Sequence, residues 1–466
     1  VIDYHFAQKA PLSFRFAIPN HPWVDSSDSA DVRVALTVCD ATEQQGNLST
    51  VIAENNGEYG EVKVTFQLQV GHINSALRIG VDLTNIEPLI ANKGLSSVGC
   101  QLSGQGFVLS VDDADRLKQL DSQSNKVIHP LISGRDLAQT RRERFAIDVS
   151  ELAEIDLRTQ FPTIYQWLSD RVRAERSTNA EPRFRDAWWV YSRPRLDFRP
   201  ILKQLSRVIV TSITAKHRFF QFEEPRTVFD STCVGIAIDD CFALGVMSSF
   251  IHVRWAIRAG GRLGVGDDPR YLKADCFDPF PFPDPDESTR ERIRNLGEQL
   301  DAHRKRQQEL HDGLTMTGMY NVLEKLRAGE ALTKKEQAIH EQGLVSVLKE
   351  LHDKLDEAVC DAYGWPHDIG DEEILQRLVD LNAERAAEEA KGHIRYLRPE
   401  FQNPEGTKPK ATAKAKVKKQ PWPKSLPERI AAVRSVLSAT TAPLNSVAVA
   451  KRFTHARQTE DGRFVG

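Results

Sequence analysis

No apolar run in these 466 residues approaches the ~18 that a membrane-spanning helix needs, and no basic-then-apolar leader opens the chain. The six cysteines, at 39, 100, 233, 241, 276 and 360, contain no CxxC pair, which argues against zinc ribbons and a disulfide framework. A soluble protein of a reducing, cytoplasmic compartment is therefore expected. The histidines form no HxxxH or HExxH pair, no GxxxxGK[ST] loop occurs, and no internal repeat is found.

What is present can build real cores. Hydrophobic residues make up 40% and charged residues 27%, so the chain is not disordered overall. At roughly 100–200 residues per domain, the length implies two to four domains. The first residue is Val1, within a partly apolar stretch, so the chain is expected to begin inside a domain or at an alternative start codon. The net charge of −3 conceals an asymmetry. Residues 171–226 hold 13 basic and 6 acidic side chains, while residues 284–400 hold 17 basic and 26 acidic. A basic middle beside an acidic stretch suits a nucleic-acid binder; two ordinary solvated faces are the plainer reading.

The first 75 residues read as strands. Segments 31–39 and 61–70 alternate, the second placing Val62, Val64, Phe66, Leu68 and Val70 opposite Lys63, Thr65, Gln67 and Gln69. Segment 48–54 should form a hairpin with 61–70, the pair closing the edge of a sheet. Residues 150–172 carry helical spacing, 207–212 and 217–222 read as strands, and 241–258 reads as a helix ended by Gly260–Gly261. Beyond the proline-rich 276–286 the chain turns helical, with capping boxes at Ser288/Glu291 and Thr333/Glu336 and leucines at 344, 348, 351 and 355.

Several motifs imitate sites. GGRLGVGDDP (260–269) has no phosphate-loop lysine and follows a helix, so a plain loop is the better reading. DPFP (278–281) has one proline where the amino-methyltransferase motif has two, and reads as packing. Glu61 and Lys63 echo half of a nuclease metal site but sit in an alternating strand, where solvent-facing residues are expected. Trp188 and Trp189 read as core anchors before base-stacking residues.

Longer blocks carry a resemblance. AIPNHPWVDSSDSADVRVALTV (17–38) resembles the end of the methyltransferase domain in MmeI-like restriction-modification enzymes and related DNA adenine methyltransferases. Residues 186–222, 239–264 and 269–283 resemble that family's target-recognition domain, and 314–333, 351–366 and 371–404 its C-terminal helical region. The resemblance implies an α+β multidomain chain: the closing strands of an α/β methyltransferase sheet (1–80), a mixed α/β DNA target-recognition domain (81–285), a helical region (286–404), a Lys/Pro-rich linker (405–424) and a small helical tail (425–466). It also implies sequence recognition on double-stranded DNA for a site-specific adenine N6-methyltransferase. S-adenosylmethionine (SAM) and the catalytic motif would then belong to an upstream methyltransferase domain, with or without a fused nuclease. No catalytic, cofactor or metal residue is assigned here, and the chain alone is expected to methylate nothing.

On that reading Arg193, Arg195, Arg199, Lys203, Arg207, Lys216 and Arg218 are the phosphate-contact candidates. Arg254, Arg258, Arg262, Asp267 and Asp268 are the base-reading candidates, since arginine matches guanine's major-groove edge and aspartate accepts from cytosine's amine. The alternatives are a non-enzymatic DNA-binding or scaffold subunit, and an acidic helical protein–protein module.

Overall fold

The structure is a computed structural model that describes residues 12–23, 32–41, 44–56, 62–83, 86–263, 268–404 and short stretches between 420 and 465. The fold is α+β, as the resemblance implies, and divides into two compact units, 1–84 with 408–466, and 85–407.

The first unit is built on a four-stranded sheet in the order β2-β1-β3-β4, from β1 (Ser13–Trp23), β2 (Val32–Asp40), β3 (Gly46–Asn56) and β4 (Val62–Gly71). The β3–β4 pair is the expected antiparallel hairpin, whereas β1 and β3 run parallel. Pro19 and Pro22 do not prevent β1 from pairing with β2, because the register shifts between Ile18 and His21. Phe14, Ala17, Leu48 and Ile73 form a small core. Phe66, Leu68 and Val70 stay exposed, so the apolar alternation of β4 marks a strand and not a buried face. Lys63 is exposed as expected, and Glu61 lies outside the described residues.

The second unit holds two further sheets. The order β10-β9-β12-β5 joins Gln221–Glu223, Val208–Ser212, Cys233–Ile236 and Ser96–Val98, all antiparallel. The order β11-β7-β8-β6 joins Val228–Phe229, Ile128–Ile132, Phe145–Ile147 and Val108–Leu109. Phe107, Leu117, Ile147, Ile164, Leu168 and Trp188 belong to the core cluster beside the latter sheet.

Three expected elements differ in detail. The 150–172 helix is interrupted: Glu154–Gln160 ends at Phe161, and Pro162 opens Pro162–Leu168 because its missing N–H is harmless at a helix start. The 241–258 helix is two, Cys241–Ser248 and Phe250–Ala259, broken at the extended Ser249, whose hydroxyl donates to the Val246 carbonyl at 2.7 Å. Of the expected 217–222 strand only residues 221 and 222 pair in a ladder, which extends to Glu223.

The helix Glu287–Leu310 crosses Cys241–Ser248 at a point where both backbones need glycine. A Cβ on Gly297 would lie 2.7 Å from the Cys241 carbonyl oxygen, and one on Gly245 would lie 2.7 Å from Ile293 Cγ2. Its N-cap is Asp286, not Ser288: the Asp286 carboxylate accepts from Thr289 N at 2.8 Å and gains from the helix's positive end. Thr333 and Glu336 do form the expected capping box. In Val345–Tyr363, Leu348 and Leu355 are buried, whereas Leu344 sits in the left-handed N-cap and stays exposed. Edge strand β10 is closed by side chains of Glu287–Leu310. Asp301 accepts from Phe222 N at 3.3 Å, while Arg304 and Lys305 donate to the Phe220 and Phe222 carbonyls, each at 2.6 Å.

Candidate nucleic-acid interface

The segment following the exposed Arg171, Arg173, Arg183 and Arg185 is anchored by aromatics. Trp188 is 3% exposed and packs edge-on against Tyr165 and Trp189. Arg176 fixes it: its buried guanidinium donates to the carbonyls of Trp188 (3.0 Å), Val190 (2.5 Å), Leu102 (2.9 Å) and Ser103 (2.7 Å). Burial lowers the pKa of Arg176. Four carbonyl dipoles balance this charge, and among the described residues no carboxylate forms an ion pair with it. The tryptophans thus pack as expected.

The phosphate candidates do not form one patch. Arg193 is exposed, and Arg195 uses Nε on the Gly99 carbonyl at 3.3 Å while holding φ +54. Lys203 pairs with Glu151 at 2.8 Å on the surface. Arg199 forms a largely buried pair with Asp148 at 2.5 Å. Burial opposes the charge on Arg199, and Asp148 outweighs it, so its pKa is raised. Arg207 lies elsewhere, bonded to Glu298, to the Cys241 sulfur and to the Asp239 carbonyl. Lys216 donates to Asn321 at 2.7 Å beside Glu324.

Arg218 corrects the sequence reading. It is 6% exposed and donates to Thr211 Oγ1 (3.1 Å), to the Ser212 carbonyl, to Ile213 O (3.4 Å) and to Pro269 O (3.1 Å). Burial lowers its pKa to about 10. A guanidinium so engaged is not presented to phosphate; it ties Pro269 to the end of β9.

That tie matters for the base-reading candidates. Gly260 ends the Phe250–Ala259 helix, and a Cβ there would fall 2.0 Å from the Arg270 carbonyl oxygen. Arg262–Leu263 pairs with Asp268–Pro269 as a short antiparallel ladder. Arg270 N donates to Gly261 O at 2.8 Å, and Tyr271 N to Ile213 O at 2.7 Å. Arg254 pairs with Asp371 at 3.1 Å on the surface, Arg258 is half-buried with its contacts engaged, and Asp268 is half-buried. The Arg262 side chain and Asp267 lie outside the described residues. Arg254 and Arg258 therefore share one helix that leads directly into the ladder holding Asp268.

The sequence reading missed a group of arginines stacked on aromatic rings. Arg171 lies 3.5 Å from the Trp167 ring centre, Arg173 5.4 Å from Trp188, and Arg183 4.6 Å from Phe184. All three are exposed, and Arg183 also pairs with Glu181 at 2.8 Å. Their signal was the interleaving of Arg with Trp and Phe between 167 and 189. Among the described residues no group of three or more His, Cys, Asp or Glu could hold a metal ion. No helix among them is long and apolar enough to cross a membrane.

Comparison with known proteins bears out the resemblance. Residues 91–284 match the family model described as MmeI, target recognition domain. The solved structure of the type IIL restriction-modification enzyme MmeI in complex with DNA is similar at TM-score 0.60 and 15% identity, over 81% of this chain. That match involves 46% of MmeI, so this chain spans less than half its length. The type IIG restriction endonuclease BpuSI aligns at 9% identity over 76% of this chain and 44% of its own, with a TM-score of only 0.26. No curated protein matches.

Proposed function

We propose that this chain is the DNA sequence-recognition portion of a SAM-dependent, site-specific DNA adenine (N6) methyltransferase of the restriction-modification type. The observation that carries the reading is the match of residues 91–284 to a target recognition domain, in which the pinned ladder at 262–269 follows an arginine-bearing helix. The duplex is gripped through its phosphates by the exposed Arg171, Arg173 and Arg183 on their rings, by the exposed Arg193 and Lys203 that follow in sequence, and by the half-buried Arg195. Arg254, Arg258, Arg262, Asp267 and Asp268 address base edges in the major groove, each good arginine–guanine pair being worth about 1–3 kcal/mol of discrimination. SAM, the flipped adenine and methyl transfer belong to the catalytic part of the parent enzyme, and no residue of this chain is assigned to them.

The test is duplex binding by the full chain, followed by fluorescence anisotropy between 50 and 200 mM salt. Each lost phosphate contact should flatten the slope of log affinity against log salt by about 0.9. Arg171→Ala with Arg173→Ala should do so for all sequences alike. Absence of duplex binding, or slopes unchanged by every charge removal named here, would overturn the proposal. In the parent enzyme, Arg258→Ala should relax one position of the methylated site, and methylation mapping that returned an unchanged site would remove Arg258 from the reading set.

A further inference from the structure

A cavity of about 490 Å³ lies between the core of the second unit and the segment 194–205. It is large enough for a small organic ligand; Arg195 and Lys203 of the phosphate grip stand at its lining, but its apolar wall and buried polar groups have no part in that grip. Its apolar wall includes the rings of Phe161, Phe198 and Phe229, which suit a planar aromatic guest. Against them stand a few polar groups. The Asp148–Arg199 pair supplies an acceptor and a donor side by side, both largely buried. His129 adds a buried Nδ1 that has no hydrogen-bond partner. Burial lowers the pKa of His129, so the imidazole is neutral at pH 7 and its two nitrogens differ in role.

The lining is electropositive. It carries Lys126, Arg195, Arg199, Lys203 and Arg226 against Asp148 and Glu151. The Arg195 side chain, beyond its bond to Gly99, has no other hydrogen bond or ion pair among the described residues. Its backbone stays in the left-handed region at φ +54, a conformation that a non-glycine residue keeps only where its surroundings impose it.

The geometry points to a nucleotide-binding site: a flat heteroaromatic base against the phenylalanine wall, its polar edge on Asp148, Arg199 and His129, and its phosphate on Arg195 and its cationic neighbours. The same chemistry is presented by a free mononucleotide and by a nucleotide turned out of a strand. The inference does not rest on the recognition reading above, because a mononucleotide tests it without any duplex.

The first arm titrates the full chain with dAMP, dCMP, dGMP and dTMP in a calorimeter, with inorganic phosphate as control. At least one mononucleotide should bind one-to-one and at least tenfold tighter than phosphate. Leu202→Trp, which fills the cavity, should abolish that binding, and Arg195→Ala should weaken it several-fold. The second arm uses a duplex carrying 2-aminopurine at successive positions; brightening with the wild-type chain but not with Leu202→Trp identifies a strand nucleotide as the source. Should Leu202→Trp lower the melting temperature, slowed hydrogen–deuterium exchange of the cavity-lining segment 194–205 under saturating nucleotide, read by peptide mass spectrometry, replaces it. Nucleotides that bind no better than phosphate together with an unbrightened duplex would overturn the site. So would binding that is indifferent to both substitutions, or exchange of segment 194–205 unchanged by nucleotide.

Discussion

Replacing Arg199 by alanine should damage the fold more than any grip on DNA. Arg199 lies 2.5 Å from Asp148, with side-chain exposures of 17% and 7%. Its removal strands a carboxylate that is kept from water, for which a loss of about 3–5 kcal/mol is expected. Unfolding entropy of ~2.1 cal/mol/K per residue over the roughly 320 residues of unit 85–407 amounts to about 0.7 kcal/mol/K. Each kcal/mol then moves the melting temperature by about 1.5 °C, and the variant should melt about 4–7 °C early in differential scanning calorimetry. Asp148→Asn added to Arg199→Ala removes the stranded charge, keeps an acceptor for Ser150 N, and should recover most of the loss. A shift below about 1 °C for the single variant, or a double variant no better than the single, would refute the reasoning. It follows that Arg199 must be left in place when salt slopes are measured, since its loss would confound binding with unfolding.

Asp136 should behave as a pH-dependent anchor. Burial pushes its pKa up, but bonds from Arg142, Ser133 and Arg144 outweigh this and hold it well below the carboxylate range. A depressed folded pKa gives stability that is present above the unfolded value of about 3.9 and fades as pH falls through the folded one. Asp136→Asn should therefore lose about 3–5 kcal/mol at pH 7, and urea melts should show the difference shrinking below about pH 4. Arg195→Gly should gain about 1 kcal/mol by relieving its positive φ, whereas Arg195→Ala should gain nothing of the kind; paired thermal melts decide it. Gly260→Ala should cost about 1–3 kcal/mol, because the new methyl meets the Arg270 carbonyl. An unchanged melt would mean the helix end can shift without disturbing the ladder.

What was legible in the sequence followed local chemistry. Alternation found β2, β3 and β4, and Thr333 with Glu336 marked a true cap, because each signal is settled within a few residues. Ser249 was not legible, since a serine can continue a helix as well as break one, and the choice here lies with its hydroxyl on Val246. Asp286 displaced Ser288 because a carboxylate at the helix start gains more from the dipole than a hydroxyl two residues further in. The arginines were visible as charge, but not their partners. Arg218 faces carbonyls of residues 212, 213 and 269, Arg199 a carboxylate 51 positions away, and Arg207 a glutamate 91 positions away. Only the folded chain separates a cation that holds the protein together from one that is offered outward.

The closure of β10 by Asp301, Arg304 and Lys305 bears on how this protein can be dissected. An unpaired sheet edge invites pairing with another chain, and here three side chains of one helix occupy the carbonyls and amide that would template it. Cutting after Pro285, the point where composition changes, would bare that edge together with the apolar side of Cys241–Ser248. The fragment 85–285 should then precipitate or form mixed oligomers, while 85–407 stays monodisperse in light scattering. For this fold the acidic helical region is the sheet's own shield, inherited and expressed with it as one piece.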